Sequence, residues 1–87
     1  MNNKNEYGVN RNDINIGNEV ICTVNVPTKS GTFIPMDVKG YVAETQMLEK
    51  DDIIKVTIKE QITSHPTITV PVNQTTAVWF DDVKQIL

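Results

Sequence analysis

The chain has 87 residues and a mass of 9.8 kDa, with 11 acidic and 8 basic side chains and a net charge of −3. That is room for one domain, with too even a balance for a polybasic binder or a nucleic-acid mimic. Val, Ile and Thr supply 31 residues while Leu and Ala together supply 4, which excludes an all-helical protein, because β-branched side chains favour strands.

Residues 1–13 hold five of the nine asparagines and only Met1, Tyr7 and Val9 as apolar residues. So little to bury predicts a flexible N-terminal arm ahead of a domain spanning 14–87. The alternative is that Tyr7 and Val9 dock as a short edge strand.

Gly17-Asn18 supplies a turn. In Glu19–Val26, residues Val20, Cys22, Val24 and Val26 share one face, the period of a strand. Pro27 ends it, and Lys29-Ser30-Gly31 is a polar loop. A longer strand follows, with Ile34, Met36, Val38, Gly40 and Val42 inward and Phe33, Asp37, Lys39, Tyr41 and Ala43 outward. Gly40 breaks the inward row, which allows a sharp bend or a close backbone approach. Gln46–Asp51 fits one helical turn or a hairpin loop.

The strand Ile53–Lys59 turns Ile54, Val56 and Ile58 inward. Charge pairing favours the register with Asp37 opposite Lys59 and Tyr41 opposite Lys55, rather than one with Lys39 opposite Lys59. His65-Pro66 breaks the pattern. Thr67–Val72 alternates again, with Ile68, Val70 and Val72 inward, and Pro71 leaves it short of one amide donor. Asn73–Thr76 reads as a turn. Ala77–Phe80 and Val83–Leu87 close the chain. The predicted core is Val20, Cys22, Val24, Met36, Val38, Val42, Ile54, Val56, Ile58, Ile68, Val70, Val78 and Phe80.

Short strands between turn signals predict an all-β fold, a small barrel or sandwich of about five antiparallel strands, and a five-stranded antiparallel barrel is the expected form. The order of features resembles the small SH3-like barrels. Ile16-Gly17-Asn18-Glu19-Val20 is similar to the glycine-containing lead-in to their first strand. Ser30-Gly31 falls in their long first loop, and Val38-Lys39-Gly40-Tyr41-Val42 resembles their bent second strand. Thr67–Val72, a short turn and Val78–Phe80 resemble their last strands with a 3₁₀ turn between. A five-stranded OB-type barrel fits the same layout. The paired aromatics that bind proline-rich peptides in SH3 domains have no counterpart here, so that activity is not implied. The size and style are also similar to small accessory proteins of bacteriophages and other mobile elements.

No catalytic, cofactor or metal signature is assembled. Cys22 lies among inward valines, where a thiol is inert core. Ser64 and His65 adjoin in a turn without dyad geometry. Asp51-Asp52 and Asp81-Asp82 have no EF-hand spacing and read as solvated turn carboxylates. The outward residues are more informative. Phe33, Tyr41 and Trp79, with Lys39 and Lys55, form the candidate partner-binding set, either as a contact surface or as a cover over the core.

The expected function is therefore non-enzymatic: a protein-binding module, in the style of a phage accessory protein that binds and modulates a host protein. The alternatives are a self-associating subunit of an assembly such as a virion, hence a homo-oligomer, or a weak single-stranded nucleic-acid binder. The near absence of arginine and a sequence pI near 4.9 argue against nucleic acid. A lone cysteine cannot form an internal disulfide. No apolar run approaches the length of a membrane span, and Met1–Glu6 lacks the apolar stretch of a secretory signal. The expected location is the cytoplasm of a bacterial host, without membrane association.

Overall fold

A computed structural model describes residues 3–62 and 65–87. It is an all-β fold: five antiparallel strands in a single sheet, β1 (Glu19–Pro27), β2 (Phe33–Glu44), β3 (Ile53–Gln61), β4 (Thr75–Trp79) and β5 (Val83–Ile86), in the spatial order β4-β3-β2-β1-β5. A single helical turn, α1 (Leu48–Asp51), joins β2 to β3, and 3₁₀ turns occupy Arg11–Asp13 and Phe80–Asp82. Among the described residues no helix is long and apolar enough to cross a membrane.

The period-two rows make the core. Val20, Cys22, Val24 and Val26 of β1 pack with Met36, Val38 and Val42 of β2, and with Ile54, Val56 and Ile58 of β3. Val78, Phe80 and Val83 close it from the C-terminal side, while β1 and β4 meet across it. Each such side chain contributes about 1.5–3 kcal/mol by leaving water. All of the predicted core is buried except Ile68, which is half-buried against it; Val9, Ile14, Val26, Leu48 and Val83 join.

Gly40 has the role its position suggested. A Cβ there would lie 2.5 Å from the Thr57 carbonyl oxygen and 2.6 Å from a Val56 methyl. Only a glycine lets β2 and β3 approach so closely.

The β2–β3 register differs from the expected one. Gly40, Tyr41 and Val42 face Ile58, Thr57 and Val56, two positions away from the charge-based pairing. Two bulges explain how. Lys59 is an extra residue on β3, so Lys39 is paired with Glu60 and not with Lys59; Ala43 is an extra residue on β2, so Lys55 faces Glu44. The lysine pairing that counts against this register is removed from the ladder by the local insertion, and both ammoniums share the Glu19 carboxylate.

The expected strand Thr67–Val72 is a loop whose one ladder contact is the His65–Ile68 bridge. Pro66 and Pro71 lack amide donors, and the Val70 amide donates to the Gln61 side-chain oxygen at 3.0 Å instead of to a strand. Val70 is buried, but Val72 is exposed rather than inward. The residues read as a turn end early: Asn73 takes a left-handed φ of 69°, and Thr75 already begins β4.

Residues 3–13 were expected to form an arm, yet they lie against the domain, with Asn5, Val9 and Arg11 buried. The apolar count missed this because polar side chains do the anchoring. They form no edge strand with the sheet; their one ladder contact is the isolated Lys4–Asn10 bridge.

Candidate interaction surface

Four outward-facing lysines are neutralised within the sheet. Lys39 lies 3.4 Å from Glu19 and 3.7 Å from Glu60, Lys55 lies 3.3 Å from Glu44, Lys59 lies 3.1 Å from Glu19, and Lys84 lies 2.9 Å from Asp37. Lys59 and Lys84 are both bulge residues, and the bulge re-aims each toward its acid. The Lys59 ammonium also sits 5.2 Å from the Tyr41 ring centre. Tyr41 and then Glu19 raise the Lys59 pKa, and Lys59 in turn lowers that of Glu19. Asp37 is held below the usual carboxylate range by Lys84, and further by the Thr23 hydroxyl that donates to it at 2.9 Å.

The five candidate residues do not form one patch. Tyr41 and Lys39 share the centre of the outer face with Glu19 and Lys59. Lys55 faces Ala77 of β4, and Trp79 faces Ile53. Phe33 stands opposite Pro27 beside the β1–β2 loop, eight residues from Tyr41 and so about 26 Å along the strand. Trp79 and Phe33 are 55% and 66% exposed, against 41% for Tyr41.

The sheet's two edges differ more than its faces do. At the β5 edge, Asn5 donates through Nδ2 to the carbonyls of Phe80 (2.7 Å) and Val83 (2.8 Å), while its Oδ1 accepts the amides of Tyr7 and Val9, both at 3.0 Å. All four hydrogen-bonding positions of this buried side chain are used. Arg11 fastens the same segment: its Nη1 donates to the Leu48 carbonyl (2.6 Å) and to Asp52 (2.5 Å), and its guanidinium lies 4.4 Å from the Phe80 ring centre. Lys84, over the Tyr7 ring at 5.8 Å, adds a charge beside β5.

Among the described residues the β4 edge has no such contact. β4 pairs with β3 alone and ends the sheet. The Phe80 amide donates to the Asp52 carbonyl (2.7 Å) and the Ile58 amide to the Gln74 carbonyl (2.9 Å). These contacts bracket the ladder and show that even-numbered β4 positions exchange hydrogen bonds with β3. By alternation, Thr75, Ala77 and Trp79 turn their N–H and C=O groups away from the sheet. Their side chains are exposed, and Thr75-Thr76-Ala77-Val78-Trp79 has no charge, no proline and no bulge.

Cys22 is fully buried, and burial pushes its thiol up to about 12. His65 is exposed in its loop, and Ser64 lies outside the described residues. Among the described residues no group of acids, His and Cys could hold a metal ion. Asp52 is taken by Arg11, and burial followed by the nearby Asp81 raises the pKa of Asp82.

The sequence reading missed Asn5 and Arg11. The available signal was that Arg11 is the single arginine in a lysine-rich chain, since a planar guanidinium suits bidentate and stacked contacts as an ammonium does not. Comparison with protein-family models, with curated proteins and with solved structures gives no match.

Proposed function

We propose that this is a non-enzymatic protein-binding module that takes an extended segment of its partner as an added strand on β4. The observation that carries the reading is the contrast between the edges. β5 is tied at Val83 to the Asn5 segment and flanked by Lys84, whereas β4 presents three outward backbone positions with Trp79 beside them. Exposed strand edges are ordinarily guarded by charge, proline or a bulge. An unguarded one is suited to strand addition, in which main-chain hydrogen bonds provide affinity and side chains such as Trp79 provide specificity.

The domain is read as an SH3-like barrel, supported by the strand order β4-β3-β2-β1-β5 and by the 3₁₀ turn between the last two strands. Those last strands are β4 and β5, not Thr67–Val72 and Val78–Phe80. The likeness in style to mobile-element accessory proteins makes a bacterial host protein the partner to seek. The paired outer-face lysines weigh against nucleic acid, because a lysine already bonded to an acid offers little to phosphate.

The test is affinity capture from a bacterial host lysate with the wild type, Trp79→Ala and Ala77→Pro. Proline at 77 removes an outward amide without touching the β3 ladder. A protein held by the wild type and released by both variants is the expected result. A partner retained equally by all three, or none at all, contradicts the reading.

A further inference from the structure

We propose that β4 also recognises its own copy, so that two chains join edge to edge as a weak two-fold dimer with one continuous ten-stranded sheet. This rests on β4 being open to a further strand, and it names a second copy as an occupant.

The geometry singles out one register. In an antiparallel pair related by a two-fold axis, one residue must face itself. Odd-numbered positions, whose backbone groups face outward, then always meet odd-numbered ones, so the register is decided by how many of the three outward positions it engages. Centring the axis on Ala77 uses the whole five-residue strand. Thr75 then faces Trp79 of the second copy at both ends, and the small Ala77 lets the backbones approach at the axis.

The chemistry of the strand agrees with this pairing. β4 has no charge, so the net charge of −3 is not concentrated on the joining edge. The acidic turn Asp81-Asp82 falls alongside the uncharged Asn73-Gln74 turn of the second copy, where side-chain amides meet carboxylates, and not against its own duplicate. Each exposed Trp79 lies across a threonine methyl, an aromatic–β-branched cross-strand pair. A ladder this short falls below the ~1,200 Å² typical of stable interfaces, so association is reversible and depends on concentration.

The experiment is sedimentation or light scattering of the intact chain from about 10 µM to 1 mM, with Ala77→Lys, Ala77→Glu and their equimolar mixture. The expected result is a wild-type mass rising toward twofold, each single variant held at monomer mass by like charges facing across the axis, and the mixture regaining the dimer. Recovery in the mixture identifies residue 77 as the self-facing position and rules out misfolding as the reason for monomeric variants. A wild type that stays monomeric throughout, or single variants that dimerise as well as the wild type, overturns the proposal. Amide exchange at Ala77 separates the two readings: a monomer with a fast-exchanging Ala77 amide loses only self-pairing, and a monomer with a protected one loses the open edge as well.

Discussion

The Asn5 side chain donates a 2.8 Å hydrogen bond to the carbonyl of Val83, joining residues 78 positions apart. With its second donor on Phe80 and both acceptor positions filled by the Tyr7 and Val9 amides, this asparagine ties residues 5–9 to the start of β5. Among the described residues β4, at the other edge, has no such tie, and the proposed strand addition rests on that contrast.

Asn5→Ala removes all four bonds and leaves buried backbone groups unmatched. The expected cost is about 2–3 kcal/mol, read as a fall of about 10–20 °C in Tm for a domain of this size. Amide exchange should quicken at Tyr7 and Val9 while the β2–β3 ladder stays protected. An unchanged Tm would mean that the segment contributes nothing to holding the fold.

Gly40→Ala places a methyl group against the Thr57 carbonyl and Val56. Backbone cannot give way as a flexible side chain would, so a loss of about 1–3 kcal/mol is expected, measured by urea denaturation. Gly31 provides the contrast. Its φ is 84° but nothing lies near its missing Cβ, so Gly31→Ala should show only the backbone cost of a left-handed residue, about 1 kcal/mol.

The pH dependence follows from two carboxyls shifted in opposite directions. Asp37 is depressed by Lys84, so its contribution is present above the ordinary carboxylate pKa and is lost as pH falls through its lowered folded value. Asp82 is raised by burial, so its ionised form opposes folding, and that penalty fades as pH falls through its raised value. Asp37→Asn should therefore flatten the acid-side loss of stability, whereas Asp82→Asn should stabilise the protein at neutral pH. Thermal midpoints of the two variants across the acid range check both signs.

Cys22 has a buried thiol with its pKa pushed up to about 12. It should resist thiol reagents in the native protein and react at the rate of global opening, so labelling should accelerate in step with denaturant. Rapid labelling under native conditions would place Cys22 outside the core.

How far the sequence could be read depended on the kind of signal. The valine rows of β1 and β3 announce themselves because period two needs only neighbouring residues. Gly40 is legible for the same reason, as a gap in such a row. The β2–β3 register was not, because bulges at Ala43 and Lys59 change the alignment without disturbing alternation on either side. Thr67–Val72 alternates as well as any strand, but the Gln61 side chain takes the Val70 amide that a ladder would need. Asn5 and Arg11 are hard to read from sequence because the partners that anchor them to the domain lie 37 to 78 residues away, and the lone arginine is the one local signal. The candidate surface residues were found individually, but which edge is covered depends on those same distant polar contacts.

The most direct measurement of the open β4 edge is residue-resolved amide exchange in dilute protein, comparing Ala77 with Val78. Ala77 exchanging almost as fast as an unstructured amide, beside a strongly protected Val78, is the expected result. Equal protection at the two positions would show that β4 already has a partner on its outer side, and would contradict the proposed mode of binding.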